Sequence, residues 1–185
     1  MSSASSHAAT SGASQYGPRP PDDQRILAAI TAFELSPSAL SDWVVTPASG
    51  AVLTFAGTVR ETSLESTGVV SITYEAYEEV AVAVLTRICS RMLGLWPELE
   101  RAAMMHRIGE VPLSEASVAI AVSSPHRPEA FESLAFGIDV LKMSLPIWKT
   151  EHGESESAPV RHGTDLRTVD QAVESWLDGY RPGPT

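Results

Sequence analysis

The chain has 185 residues, of which 43% are hydrophobic and 19% charged, a composition that predicts one ordinary core rather than two. Its 23 acidic and 13 basic residues leave a formal net charge of −10, which disfavours non-specific binding to nucleic acid or anionic membranes. The single cysteine excludes intrachain disulfides and multi-cysteine metal sites, and it favours the reducing cytoplasm.

The N-terminal residues 1–22 are rich in Ser, Ala, Gly and Pro and hold few large apolar groups. Because such a segment cannot offset the entropy of ordering, we predict a disordered tail, and its lack of an apolar core region argues against a secretory signal. The longest apolar run, residues 80–85, is far shorter than the roughly 20 residues that span a bilayer. We therefore expect no membrane crossing.

The next segments predict short elements. Residues 25–35 fit either a strand or a short helix, and Ser36 followed by Pro37 predicts a helix N-cap. The runs GAVLTFAGTVR, residues 50–60, and VVSITYEAY, residues 69–77, alternate as strands do. We expect these two strands to pair, with the polar connection ETSLESTG as a mobile loop that could act as a lid.

The middle of the chain alternates between helix and strand patterns. Residues 78–94 have helical apolar spacing, and Cys89 within them is interpreted as a buried structural thiol. ERAAMMHRIGEV and ASVAIAVSS are strand-like, the second apolar enough to be central, and His106 in the first is interpreted as structural or interfacial.

A second long helix is predicted to start with Pro128 at its first position and to end before Pro146. Its expected buried stripe consists of Phe131, Leu134, Ala135, Ile138 and Leu141. Beyond it, GESESAPVRHG is compatible with a short strand, and DLRTVDQAVESWLDGY with a terminal helix.

The lysines are the most informative feature for function. Eleven of the thirteen basic residues are arginine, and the only lysines, Lys142 and Lys149, stand seven positions apart. Lysine offers a titratable amine that arginine lacks, and a chain that turns at Pro146 can bring both amines to one site, where repulsion and burial would lower a pKa. The alternatives are chance, two solvated surface charges, or a helix-dipole partner for Lys142.

Three further residues are candidates for binding an anion. His126 and Arg127 lie where an apolar strand meets a helix N-terminus, a junction that attracts phosphate or carboxylate. The alternative is an exposed loop arginine beside a capping histidine. Arg60 begins the polar loop and by itself is weak evidence. The histidines lack metal-ligand spacing and no glycine-rich nucleotide motif occurs, so we predict no metal and no cofactor.

Five segments in register resemble the large catalytic subunit of molybdopterin synthase. These motifs are GAVLTFAGTVR, YEAYEEVA, HRIGEV, SSPHRPEAF and LKMSLPIWKTE, and together they span roughly residues 48–152. The resemblance implies an α+β fold of the α/β-hammerhead type, with a mixed or antiparallel sheet and packed helices. It also implies a catalytic domain over residues 23–165, followed by a C-terminal helix or tail over residues 166–185.

The resemblance further implies a function and its residues. The enzyme would convert cyclic pyranopterin monophosphate to molybdopterin, with sulfur from the C-terminal thiocarboxylate of a small ubiquitin-like carrier subunit, in a homodimer within a heterotetramer. Lys142 and Lys149 match the catalytic lysines, Arg60, His126 and Arg127 match substrate contacts, and Glu151 matches a supporting acid. His126 and Arg127 would come from the neighbouring protomer.

Two rival functions stay open at this point. One is a hydrolase or lyase that acts on another pterin or cyclic phosphate without a carrier, and the other is a non-catalytic scaffold that binds the carrier. The segment GESESAPVRHG also departs from the family pattern, which leaves the C-terminal edge of the site undefined.

Overall fold

A computed structural model describes residues 24–62, 67–153 and 166–179, together with the backbone of residues 160–162. The described chain is an α+β fold, as predicted, with eight strands in two four-stranded sheets and four helices. The predicted disordered tail, residues 1–22, and most of the divergent segment after Gly153 lie outside the described residues. Among the described residues, no helix combines the length and apolar character needed to cross a membrane.

The strands and helices are numbered in chain order. The strands are β1 (Ile26–Thr31), β2 (Ala51–Thr58), β3 (Val69–Ala76), β4 (Arg101–Arg107), β5 (Gly109–Pro112), β6 (Ala116–Ser124), β7 (Ile147–Gly153) and β8 (Val160–His162). The helices are α1 (Pro37–Val44), α2 (Glu78–Leu95), α3 (Arg127–Ser144) and α4 (Val169–Gly179). The segment that fitted either strand or helix is therefore the strand β1, and Ser36 caps α1 by accepting a hydrogen bond from the Ala39 amide at 3.2 Å.

The first sheet has the order β1-β4-β6-β2 and carries most of the core. β6 is an inner strand, as its apolar run predicted, because it pairs antiparallel with both β4 and β2. Helices α2 and α3 pack on this sheet, with Leu85, Met92, Phe136 and Val140 among their fully buried residues. The core therefore lies between the first sheet and these two helices.

The second sheet has the order β5-β3-β7-β8, and all its pairs are antiparallel. The expected pairing of β2 with β3 is wrong, because β2 pairs with β6 while β3 pairs with β5 and β7. Both strands have the alternation of a half-covered sheet, and alternation does not specify a partner. The connection between them thus passes from one sheet to the other.

One predicted strand also divides between the sheets. ERAAMMHRIGEV forms β4 in the first sheet and β5 in the second, with the change of direction at Gly109, whose φ of 81° lies in the left-handed region. β4 is buried along nearly its whole length, whereas β5 is a short edge strand. This break brings the end of β4 next to the second sheet.

The buried face of α3 differs from the predicted stripe. The helix starts at Arg127 with His126 as N-cap, so Pro128 occupies its second position rather than its first. Its buried residues are Ala130, Ser133, Phe136, Gly137, Val140, Leu141 and Ser144. Phe131, placed in the stripe by its hydrophobicity, is 61% exposed. Small residues at 130, 133 and 137 allow close packing, which a stripe based on large apolar residues overlooks.

Candidate active site

Both lysines line a single cavity. Lys142 lies in the last turn of α3, the chain turns through Leu145 and Pro146, and Lys149 follows on β7. The cavity has a volume of about 440 Å³ and contains both side chains in its wall, between the helix end and the two sheets. The turn at Pro146 thus places both lysines in the wall of one cavity.

The cavity wall is largely apolar and aromatic apart from a few polar groups. Its lining residues are Phe55, Gly57, Thr58, Tyr74, His106, Ser117, Val118, Ile138, Leu141, Lys142, Leu145, Ile147 and Lys149. Such a wall, with a few convergent polar groups, is typical of a small-molecule site. Two of these polar groups are the basic side chains of Lys142 and Lys149, which favour an anionic ligand.

Lys149 has a buried counter-ion on its own strand. Its Nζ donates a hydrogen bond of 2.8 Å to Oε1 of Glu151, two residues along β7 and on the same face. The Glu151 side chain is 3% exposed, while that of Lys149 is 37% exposed. Glu151 therefore holds the Lys149 amine in a defined position, which is consistent with a supporting position.

Neutral polar groups complete the wall, and the sequence analysis did not assign them to the site. Tyr74 pairs in register with Lys149 across β3 and β7, and burial raises the pKa of its phenol while a hydrogen bond with Ser117 and the charge of Lys149 oppose that shift. Burial lowers the pKa of His106 to about 4. In the sequence, only their places in the motifs YEAYEEVA and HRIGEV could have indicated a role in the site, because each residue also fits an ordinary strand.

The three predicted substrate contacts do not line this cavity. Arg60 is exposed, two residues beyond Thr58, which does line it. His126 and Arg127 are exposed at the N-terminus of α3, whereas Lys142 is at its C-terminal end. With 1.5 Å per residue, about 22 Å of helix separates Arg127 from Lys142 within one chain. A single protomer therefore does not bring His126 and Arg127 to the lysines, whereas Arg60 lies near the edge of the cavity.

Neither a metal site nor a sulfur-carrying cysteine is supported in the described part of the chain. No group of three or more His, Cys, Asp or Glu side chains there is arranged to hold a metal ion. Cys89 is fully buried in α2, and burial raises the pKa of its thiol to about 12. Because the thiolate is the nucleophilic form, this cysteine is unsuited to carrying sulfur.

Comparison with known proteins gives the family. The MoaE protein family profile matches residues 30–144. The chain belongs to the MoaE family. The molybdopterin synthase catalytic subunit of Taeniopygia guttata is 45% identical over 123 residues, which cover 66% of this chain and 79% of that relative. Other MoaE relatives are longer, and the chain spans as little as 29% of their length.

Solved structures of MoaE proteins share the fold. The molybdopterin synthase from Staphylococcus aureus has a TM-score of 0.67 and 32% identity, over 73% of this chain and 97% of that one. A complex of subunits 1 and 2 of the molybdopterin-converting factor from Helicobacter pylori contains a chain with a TM-score of 0.56, over 78% of this chain and 91% of that one. At 19% identity the latter likeness concerns the fold alone.

Proposed function

We propose that this MoaE chain is the catalytic subunit of a molybdopterin synthase, which converts cyclic pyranopterin monophosphate to molybdopterin by sulfur transfer. One observation carries the proposal: the only two lysines of an acidic chain line the same cavity. An ammonium group there stabilises substrate phosphate and the anions that form during transfer, while a deprotonated amine moves protons. The proposal agrees with the name of the Taeniopygia guttata relative, a molybdopterin synthase catalytic subunit.

The sulfur comes from a partner protein in this proposal. The buried Cys89 cannot carry sulfur as a thiolate, so a sulfur transferase built on this chain needs an external donor. The donor is a small ubiquitin-like carrier whose C-terminal glycine is a thiocarboxylate. Its sulfur forms a bond to a substrate carbon as a carbon–oxygen bond at that carbon breaks, and water then cleaves the acyl–sulfur bond, which releases the carrier as a carboxylate. Two such transfers build one dithiolene. One displaced oxygen leaves as water, and the other is an ester oxygen of the phosphate, so the cyclic phosphate opens to a terminal one.

The substrate contacts come from two protomers. Arg60 follows the cavity-lining strand β2, and His126 and Arg127 lie at the far end of α3 from Lys142. A homodimer, completed to a heterotetramer by two carriers, provides a second copy of α3 whose N-terminus faces the lysine cavity of the first. Exposed cations at a helix N-terminus then bind the substrate phosphate. We place this assembly in the cytoplasm, in keeping with the single free thiol.

Reconstitution tests the activity. Purified chain is mixed with thiocarboxylated carrier and cyclic pyranopterin monophosphate, and dithiolene formation is followed as molybdopterin. We expect product only with the thiocarboxylated carrier, and two carriers consumed per product. No product from a complex shown to contain bound carrier contradicts the proposal. Turnover of the pterin without any carrier indicates the carrier-independent hydrolase or lyase instead.

Subunit complementation tests the shared site. Lys142→Ala and Arg127→Ala variants are each nearly inactive alone if both residues act at one site. In a mixed dimer, one of the two sites combines an intact Lys142 with an intact Arg127 from the other protomer. Random mixing therefore restores about a quarter of wild-type sites. No recovery after verified exchange of protomers contradicts the shared site, and a mixture of Lys142→Ala with Lys149→Ala is the control that stays inactive.

A further inference from the structure

His106 is a buried side chain that the proposed sulfur chemistry does not use. It lies near the end of β4, opposite Val118 of β6, and it is 5% exposed. It also lines the cavity that contains both lysines. A buried imidazole in the wall of a ligand cavity can bind a ligand placed in that cavity.

The hydrogen bonding of His106 determines which ring nitrogen is free. Nδ1 lies 2.8 Å from the main-chain oxygen of Arg107, and a carbonyl oxygen only accepts, so Nδ1 carries the hydrogen. Burial lowers the pKa of His106 to about 4, which keeps the ring neutral at physiological pH. Nε2 then holds a lone pair, and it has no hydrogen-bond partner among residues 24–62, 67–153 and 166–179.

The surroundings of Nε2 indicate what kind of group it accepts. The Tyr74 ring packs edge-on against the imidazole, with centroids 5.1 Å apart and an interplanar angle of 70°. Phe55, Val118 and Ile138 contribute apolar wall to the same cavity. An aromatic and aliphatic wall can pack against a flat heterocycle, and a hydrogen-bond acceptor in that wall can bind an N–H group at the edge of the ring. A protonated lysine amine only donates, so in that form it cannot meet such an edge.

We propose that His106 is a substrate-positioning residue whose Nε2 accepts a hydrogen bond from an N–H group of the pterin ring. The inference rests on the proposed function and assigns recognition of the heterocycle, as distinct from its phosphate, to β4. The carrier's C-terminal tail also has amide N–H groups. The assay distinguishes the N–H groups of the pterin from those of the carrier, because the concentrations of the two substrates are varied independently.

Two variants of nearly equal polarity test the role. In His106→Asn the amide nitrogen can still donate to the Arg107 carbonyl, but the side chain is too short to place an acceptor where Nε2 lies. In His106→Gln the amide oxygen reaches that position. We expect His106→Asn to raise KM for the pterin about tenfold, with kcat within about threefold of wild type and KM for the carrier unchanged. We expect His106→Gln to recover most of the loss.

A merely structural role predicts a different pattern. Loss of packing lowers kcat and thermal stability together in both variants, and this result overturns the inference. An increase in KM for the carrier rather than for the pterin overturns it as well, since it assigns Nε2 to the carrier tail. An unchanged KM for the pterin in a folded His106→Asn variant also overturns the inference.

The inference can be separated from the proposed function by equilibrium binding. Quenching of protein fluorescence by cyclic pyranopterin monophosphate measures Kd without a carrier or turnover. If the wild-type chain binds the pterin but forms no product, only the sulfur-transfer proposal fails, and about tenfold weaker binding by His106→Asn still supports pterin recognition. Equal Kd values for wild type and His106→Asn overturn the inference alone, and absence of wild-type binding overturns both.

Discussion

Lys149 and Glu151 form an ion pair within one strand, in which a partly exposed amine meets a carboxylate that is 3% exposed. Lys142, by contrast, makes no hydrogen bond or ion pair with the described residues and is exposed at the end of α3. The two lysines of the cavity are thus held differently. Substitutions should affect stability at one of them and leave it unchanged at the other.

Lys149→Ala should lower both stability and activity. Removal of the ammonium leaves the buried Glu151 carboxylate without this counter-ion, and because Lys149 is partly exposed we expect a loss of about 1–2 kcal/mol in the free energy of unfolding. The double variant Lys149→Ala/Glu151→Gln should recover most of that stability and none of the turnover. Urea unfolding measures the first effect, and recovery of turnover in the double variant argues against a catalytic amine.

Lys142→Ala should abolish turnover without a change in stability. The methyl group neither transfers protons nor stabilises an anion, so we expect a loss of roughly 100-fold or more in kcat, with unfolding within about 0.5 kcal/mol of wild type. Lys142→Arg should also be poor, since arginine keeps the charge without a titratable amine. Arg91→Ala removes an exposed cation from α2 and should have normal turnover. Near-normal turnover of Lys142→Ala contradicts the assignment.

Acid should destabilise the chain through His106. The pKa of His106 is lowered to about 4 in the folded state, so between pH 4 and 6.5 the unfolded state binds more protons than the folded state does. Stability therefore falls as the pH drops through this window, by up to about 3 kcal/mol from this group. The non-titrating His106→Gln variant should show a shallower slope in urea titrations from pH 7 to 4. Identical slopes contradict a depressed pKa.

Cys89→Ala should retain turnover. The thiol is fully buried in α2 and plays no part in the proposed transfer, so the cost is that of a small core cavity, about 1 kcal/mol. Turnover measured well below the melting temperature should match wild type, and the folded wild-type thiol should resist iodoacetamide. Loss of turnover in a folded Cys89→Ala variant indicates that this chain carries sulfur itself.

Gly57→Ala should narrow the cavity. A Cβ at this position lies 2.6 Å from Cγ1 of Val118, on the buried inner strand β6, so Val118 or the backbone has to move. We expect a loss of about 1–3 kcal/mol in stability and a higher KM for the pterin. Gly94→Ala is the control, since a Cβ there meets no atom within 4 Å. An unaffected KM indicates that substrate does not reach this part of the wall.

Local patterns predicted most elements correctly. The α2 helix over residues 78–95, the cap at Ser36 and the inner strand β6 each follow from the order of residues nearby. The buried face of α3 was predicted only in part, because Ala130, Ser133 and Gly137 are buried by close packing rather than by their hydrophobicity. Phe131 shows the converse, an apolar residue that the single chain leaves exposed.

The amino-acid sequence by itself determined the chemistry: two titratable amines in a chain that otherwise uses arginine, a thiol in an apolar helix, and five motifs in register. The tertiary structure alone decided that β2 and β3 belong to different sheets, that His106 and Tyr74 face the lysines, and that one protomer leaves His126 and Arg127 remote from them. Residue type and periodicity are local properties, whereas strand partners and cavity walls depend on the free energy of contacts between distant segments, which no local pattern records.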